Sequence, residues 1–328
     1  MAGKTSSCGV ESLVYGVQDL ALAAGFYEDW GLELIHRGER GADFALADGS
    51  TVQLRQAGDA SLPPPLVPGS TVRETVWGVE SKSSLAAIAA ELSKDRGVKE
   101  DAGGTLHAFD ELGYAIAFRL SVRKPISAKL SDFNTVGNPA RRDARAAAAL
   151  PYRVRPQRFV HVVNWIPRAM ERERRFYVER LGFRLTESVA GSGHFLRCAP
   201  TSDHHNLFLN SRGDNFGFQH VAFEVRDIDE VMLAGQYMER RGWKTHLGPG
   251  RHVVGSNVYW YFWCPAGGLA EIGCDIDCIT DHWQPLEHES MPSGGSSWFV
   301  RPEDEGRRPG HGDWPQYPAL ASQISEGD

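Results

Sequence analysis

Hydrophobic and polar positions along the chain follow a pattern that occurs four times. Each copy opens with a run of β-branched and aromatic residues, continues with apolar residues at helical spacing, and closes with further short apolar runs. The copies begin near residues 12, 72, 158 and 217. This pattern predicts four βαβββ units and an α+β fold class.

The first and third units match most closely. Residues 12–35 read SLVYGVQDLALAAGFYEDWGLELI, and residues 159–185 read FVHVVNWIPRAMERERRFYVERLGFRL. Both run from a strand through a polar turn into a helix that carries an aromatic pair, and both continue through Gly into a second strand. The units therefore pair into two halves.

Changes of composition mark the boundaries of these halves. We expect a first domain over 1–122, a linker over 123–156 and a second domain over 157–280, because the segment between the halves is interrupted by proline. The remainder, 281–328, is rich in Gly, Pro, Ser and charge without periodicity. It predicts an irregular C-terminal tail.

Composition excludes several classes of protein. The chain has 328 residues, 41% of them hydrophobic and 23% charged, with a net charge of −7, which is typical of a globular protein and unsuited to a nucleic-acid footprint or an anionic membrane. No apolar run has the length of a membrane span, and the N-terminal residues lack a signal-peptide core. We therefore expect a cytoplasmic protein with reduced cysteines.

Three polar residues occupy strands that are otherwise apolar. His161 lies in FVHVV, His220 in FQHVAF and Glu271 in LAEIG. Burying two imidazoles and a carboxylate is costly unless each has a partner, and one divalent cation would satisfy all three. Two His and one carboxylate with open positions are the ligand set of non-haem Fe(II) oxygen chemistry. The alternative is three unrelated core residues with separate hydrogen-bond partners.

The first half provides an internal comparison. Aligning its openings and its closing strand places Tyr15, Val76 and Phe118 at the three corresponding positions. The first half is therefore predicted to keep the fold and to lack the ligands.

These motifs resemble the vicinal oxygen chelate superfamily and, within it, the type I extradiol ring-cleavage dioxygenases. The resemblance covers residues 10–280 and is sharpest over 158–280, in FVHVVNW, TSDHHNLFL, FQHVAFEV, GRHVVGSNVYWYF and CPAGGLAEIGCD. It implies two vicinal-oxygen-chelate domains with curved mixed sheets, the first of them metal-free. It also implies that His161, His220 and Glu271 hold Fe(II), or occasionally Mn(II).

The resemblance also implies three further site residues. The extradiol enzymes carry a His 15 residues before the second ligand, a Tyr 10 residues before the Glu, and a His 9 residues before that Tyr; here these are His205, Tyr261 and His252. The first would act as acid or base on the oxygen side, whereas the Tyr and the other His would contact the substrate oxygens. Many members have Asn-Asp-His after Gly-Arg-His, and this chain departs from them with Val-Gly-Ser-Asn at 254–257.

The remaining candidates are assigned structural roles. His204 is expected to be solvated at a strand start, and core packing is the alternative for Tyr261, whose neighbours are all aromatic. Six further histidines in polar or loop contexts are expected to be exposed: His36, His107, His246, His282, His288 and His311.

The sequence thus predicts an Fe(II)-dependent extradiol dioxygenase that cleaves a catechol-type ring with O2 in aromatic catabolism. Its partners would be a small aromatic diol and O2, in a homo-oligomer that binds neither nucleic acid nor membrane. Two alternatives stay open. One is another metal-dependent enzyme of the superfamily, an isomerase or a keto-acid-dependent dioxygenase, and the other is a metal-free ligand-binding protein of the same fold.

Overall fold

A computed structural model describes residues 7–127, 132–146, 153–167, 170–198 and 203–300. Over these ranges the fold is α+β, as the repeat pattern predicted: two large mixed sheets carry four α-helices.

The first sheet has eight strands in the spatial order β2-β3-β4-β1-β5-β8-β7-β6. Their bounds are β1 (Ser7–Val17), β2 (Glu33–Gly38), β3 (Gly41–Ala45), β4 (Thr51–Gln56), β5 (Thr71–Val79), β6 (Lys99–Glu100), β7 (Leu106–Phe109) and β8 (Ala115–Leu120). Helices α1 (Leu20–Asp29) and α2 (Lys82–Leu92) follow β1 and β5.

The second sheet has ten strands in the order β17-β10-β11-β12-β9-β13-β16-β15-β14-β18. Their bounds are β9 (Arg158–Trp165), β10 (Arg184–Val189), β11 (Gly193–Arg197), β12 (Leu207–Asn210), β13 (Gly217–Glu224), β14 (Thr245–His252), β15 (Val258–Trp263), β16 (Leu269–Cys274), β17 (Leu286–His288) and β18 (Ser296–Phe299). Helix α3 (Met170–Arg175) continues into a π-helical segment, Phe176–Arg180, and α4 (Ile228–Arg240) follows β13.

The two sheets share one topology. Without the edge strands β17 and β18, the order of the second sheet repeats that of the first, strand for strand. In each sheet the first strands of two units pair antiparallel at the centre, β1 with β5 and β9 with β13, and each also pairs in parallel with the last strand of its own unit. The four predicted βαβββ units are therefore present.

Polar side chains fix where three of the helices begin. Asp19, Ser81 and Asp227 each accept a hydrogen bond from a backbone N–H in the first turn of α1, α2 and α4. These contacts satisfy donors that a helix cannot satisfy internally. Within the described ranges, no helix has the length and apolar character needed to cross a membrane.

Aromatic residues of the two halves pack against each other. Trp30, directly after α1, lies with its ring 5.5 Å from that of Phe223 on β13 and 5.9 Å from that of Phe262 on β15. A second contact between the halves joins Trp77 on β5 to Phe183, directly before β10, with 5.1 Å between the ring centroids. One hydrophobic core therefore spans both sheets.

The expectation of an irregular tail is wrong for Leu286–Phe299. Strand β17 pairs with β10 and β18 pairs with β14, so this segment extends both edges of the second sheet. Both strands are short, and backbone hydrogen bonds to the neighbouring strands β10 and β14 hold them in place. Segments of three or four residues are too short to show an alternating pattern of their own. Residues 301–328 lie outside the described residues, and the domain boundaries stay a prediction.

The alignment that placed Tyr15 at the position of His161 is wrong in register. Tyr15 is fully buried and its ring lies 6.0 Å from that of Tyr27 on α1, so it faces the helices. His161 lines a cavity on the other face of its sheet. Successive strand residues point to opposite faces, so a one-residue slip in an alignment inverts the face.

We expect Trp30→Ala to destabilise the whole protein by about 3–5 kcal/mol, because it removes a buried indole that contacts both halves. Leu22→Ala, on the exposed face of the same helix, should change the free energy of unfolding by less than about 0.5 kcal/mol. Chemical denaturation measures both. Equal small effects for the two variants would contradict a core shared between the halves.

Candidate metal centre

Three neighbouring strands at the centre of the second sheet carry the predicted ligands. His161 is on β9, His220 on β13 and Glu271 on β16. His220 pairs with Val163, two residues from His161, and Glu271 pairs with Ala222, two residues from His220. Because residues two apart share a face, all three side chains project from the same side of the sheet.

The donor atoms of this triad form a small triangle. The Nε2 atoms of His161 and His220 lie 3.0 Å apart, and each lies 3.2 Å from Glu271 Oε2. Neighbouring ligands about 2.1 Å from one cation are separated by about 3 Å, so the spacing fits a single ion. Within the described ranges, Oε2 of this fully buried carboxylate has no hydrogen-bond partner, and this is the one group of three such ligands that can converge on an ion.

The electrostatics keep the triad in the form that binds a cation. Burial alone would raise the pKa of Glu271, but the adjacent His161 and His220 hold that pKa well below its usual value. Burial lowers the pKa of His220 to about 4, against the opposing effect of the carboxylate. The resting site therefore contains an ionised carboxylate and a neutral imidazole at His220, which is the state that a divalent metal requires.

Two amide side chains orient the ligands. His220 Nδ1–H donates to Gln219 Oε1 at 2.7 Å, which leaves Nε2 as the free lone pair. Asn257 Nδ2–H donates to Glu271 Oε1 at 2.8 Å and directs the other carboxylate oxygen to the histidines. Sequence reasoning missed the role of Asn257, although it lies in the segment that departs from the family pattern, directly before β15.

His205 lies against the triad. Its ring stacks on that of His161 with 4.1 Å between centroids and 26° between planes. Burial lowers the pKa of His205 well below its usual value, and the nearby histidines lower it further. The structure thus brings His205 to the site as a neutral imidazole that lines the cavity.

His252 and Tyr261 lie on the other side of the triad and are linked to each other. His252 Nδ1–H donates to the carbonyl of Gly295 at 3.0 Å, so its Nε2 accepts from the Tyr261 hydroxyl at 2.9 Å. Tyr261 pairs with Glu271 across β15 and β16, and its ring meets that of His220 edge-on at 5.2 Å. A backbone carbonyl from the C-terminal segment thus serves as the acceptor for His252.

The triad opens into a cavity of about 530 Å³. One wall is formed by Phe195 and Phe208, whose rings stack face to face at 3.9 Å. Met291 from the segment between β17 and β18 also lines it. Flat apolar walls with a few polar groups at one end suit a planar organic ligand.

Several expectations for the other histidines are wrong. His204, expected to be solvated, is 0% exposed, and its Nε2 lies 3.1 Å from a carboxylate oxygen of Glu187, which provides the partner that a buried imidazole needs. Three residues expected to be exposed are half-buried: His107, His246 and His288. His36 and His282 are exposed as predicted, and His311 lies outside the described residues.

Comparison with known proteins agrees with this geometry. The model of the Glyoxalase/Bleomycin resistance protein/Dioxygenase superfamily matches residues 158–267, which include His161 and His220. Metapyrocatechase 2 of Cupriavidus necator is 31% identical over 198 residues, which span 60% of this chain and 60% of that protein. The resemblance to this superfamily is therefore confirmed over residues 158–267, and the chain spans about three fifths of the length of the metapyrocatechase that it matches.

Solved structures show the same fold. A Mn(II)-bound glyoxalase from Novosphingobium aromaticivorans aligns with a TM-score of 0.69 and 23% identity over 89% of this chain and 91% of its own. BphC, a halotolerant catechol dioxygenase, aligns with a TM-score of 0.69 and 17% identity over 91% and 95%. Both likenesses extend over most of the two chains and establish the fold.

We expect Asn257→Ala to weaken metal binding by about 10- to 100-fold, because Glu271 loses the donor that orients it. Competition with a chelator, followed with Mn(II) or Fe(II), measures the dissociation constant. Ser256→Ala, at the adjacent position but bonded to Asp277, is the matched control. Equal affinities for the two variants would show that the amide does not position the carboxylate.

Proposed function

We propose that this protein is an Fe(II)-dependent extradiol dioxygenase that opens the ring of a catechol-type substrate with O2. The observation that supports this most is the placement of acid–base groups around the triad. His205 stacks at the His161 end, and the hydrogen-bonded pair Tyr261–His252 lies at the His220 end, all facing one cavity. Mn(II) is the alternative metal.

The reaction needs no outside reductant. A ring carbon–carbon bond beside the diol breaks, and both atoms of O2 enter the product. A divalent cation at the triad would lower the pKa of a substrate hydroxyl and, if redox-active, exchange electrons between substrate and oxygen. The proton transfers that accompany these bond changes are assigned to side chains of this protein.

Tyr261 and His252 are suited to bind the diol and receive its proton. Burial raises the pKa of Tyr261 well above its usual value, so the phenol stays protonated and can donate a hydrogen bond. Burial lowers the pKa of His252, so its Nε2 is a free base at neutral pH. A proton released by the bound diol can therefore pass to His252 through the Tyr261 hydroxyl.

His205 is suited to serve the oxygen side. Its neutral resting state allows it to take a proton, and its contact with His161 places it next to the candidate metal position. Once charged in this buried site, it is a strong acid that can return the proton to a developing oxyanion. The same imidazole can thus act as base early and as acid late.

Assembly and domain division belong to the same proposal. We expect residues 1–122 to form a metal-free domain that supports the catalytic domain at 157–280, and the chain to assemble as a homo-oligomer. Limited proteolysis within 123–156 and sedimentation of the intact protein test the two points separately.

We expect protein reconstituted with Fe(II) under anaerobic conditions to bind about one ion per chain. It should then consume one O2 per catechol and form a yellow ring-opened product. Elemental analysis, an oxygen electrode and absorbance measure these three quantities. Metal uptake without O2 consumption on any catechol would point to another metal-dependent reaction, and absence of metal uptake would point to a ligand-binding protein.

We expect His205→Asn to lower kcat by about 100- to 1,000-fold while the iron content stays unchanged. General acid–base catalysis typically accelerates a reaction by factors of about this size. His36→Asn, at an exposed position in the first sheet, is the control and should retain full activity. An unchanged kcat in the His205 variant would remove this residue from the reaction.

A further inference from the structure

A line of hydrogen-bonded side chains leads from the cavity to the protein surface. His205 Nδ1 lies 3.0 Å from His204 Nδ1, and His204 Nε2 lies 3.1 Å from Glu187 Oε1. The other carboxylate oxygen, Oε2, lies 2.6 Å from His288 Nε2. Every contact is within hydrogen-bonding distance, so the line is continuous.

The solvent exposure of the side chains increases along this line from His204 to His288. The side chains of His204 and Glu187 are 1% and 8% exposed, whereas that of His288 is 26% exposed. The other end, His205, lines the cavity beside the triad. The line therefore joins a reaction site to solvent through groups that water does not reach directly.

Three structural elements hold the line together. Glu187 is on β10 and His288 is on β17, the strand that pairs with β10 at the edge of the sheet. His204 precedes β12, where its backbone N–H donates to the carbonyl of Asp277. The edge strand β17 thus provides the outer residue, which assigns a purpose to part of the C-terminal segment.

A second metal site does not explain this geometry. The two imidazoles of His204 and His288 bind different oxygens of the Glu187 carboxylate, so they are separated by it rather than converging. Among the described residues, the one convergent group of three ligands is the triad at His161. A carboxylate that bridges two imidazoles is instead suited to pass protons.

The carboxylate also determines which ring nitrogens carry hydrogen. Burial would raise the pKa of Glu187, but its bonds to His204 and His288 hold that pKa below its usual value, so it is ionised at neutral pH. His204 must then donate through Nε2–H. A neutral His204 accepts at Nδ1, and His205 donates to it through Nδ1–H.

Adding one proton to His204 reverses this arrangement. The imidazolium donates from both nitrogens, so His205 must accept at Nδ1 and carry its hydrogen on Nε2. His205 therefore presents a lone pair at Nε2 to the cavity when His204 is neutral and an N–H when His204 carries the added proton.

We propose that His288, Glu187 and His204 form a proton relay between solvent and His205, an inference that rests on the proposed function. When His205 receives a proton from the cavity at Nε2, its Nδ1–H passes to His204 Nδ1 while His204 Nε2–H passes to Glu187 Oε1. His288, whose Nε2–H is bonded to Oε2 at rest, first exchanges that hydrogen with solvent and then accepts the proton from the carboxyl group, which turns to present it. Each transfer breaks one N–H or O–H bond and forms the next, and the reverse sequence returns a proton to His205. No electrons move, and one proton enters for each that leaves.

Chemical rescue of the outer residue tests the relay in the iron-loaded protein. We expect His288→Ala to lower kcat about 10-fold without changing KM, and dissolved imidazole to restore most of it, because a small base can replace the surface group. His282→Ala, an exposed histidine nearby in the sequence, should keep full activity and respond to imidazole as the wild type does. Loss that imidazole does not restore would show a structural role and overturn the relay.

The carboxylate is tested with its neutral isostere. Glu187→Gln keeps the shape of the side chain, but its amide can accept from only one of the two histidines and cannot carry a proton, so we expect kcat to fall about 10- to 100-fold with iron content unchanged and without rescue by imidazole. Unaltered turnover in this variant would show that the line only supports the fold.

A spectroscopic measurement separates this inference from the proposed function. Long-range ¹H–¹⁵N spectra of metal-free protein labelled at histidine should show His204 protonated at Nε2 and accepting at Nδ1, whether or not the protein turns over a catechol. A His204 protonated at Nδ1 alone would refute the relay. Absence of ring cleavage by the wild type would refute the proposed function and leave the spectrum to decide the relay.

Discussion

The register between β9 and β13 is the constraint on which the site depends. Pairing of His220 with Val163 places His220 and His161 on the same face, and the parallel pairing of β13 with β16 adds Glu271 to that face. A shift of one residue in either pair would turn a ligand towards the helices. The core packed between the two halves resists such a shift, because the residues that alternate with the ligands, such as Val162 and Val221, are buried in it.

The part of the site that could be predicted from sequence is the part whose polarity contradicts its surroundings. His161, His220 and Glu271 interrupt apolar strands, so their cost of burial is visible in the chain itself. The contacts of Glu187 with His288 join positions 101 residues apart, and they depend on an edge strand that has no periodicity of its own. Local pattern therefore contained no signal for them, and the adjacent histidine, His204, was misread as solvated for the same reason.

The first half contributes packing rather than ligands. Its described residues contain no convergent group of three metal-type side chains. Instead, Trp30 directly after its helix α1 contacts two strands of the second sheet. A half without a metal-type site can still stabilise the half that has one, because the two halves bury apolar side chains against each other in one core. This explains why the strand order is repeated in both sheets although the metal-type ligands occur in the second sheet alone among the described residues.

Three histidines around the site each donate one ring N–H to an acceptor, which leaves the other ring nitrogen to face the site. That other nitrogen faces the triad in His220, Tyr261 in His252 and His205 in His204. The acceptor is a side-chain amide for His220 and a backbone carbonyl for His252. For His204 it is the carboxylate of Glu187. An amide or a backbone carbonyl fixes a tautomer, whereas a carboxylate can also take the proton itself. Of these three positions, the one beside His205 is the one whose acceptor is a carboxylate that also contacts the partly exposed His288, and the proposed relay depends on this geometry.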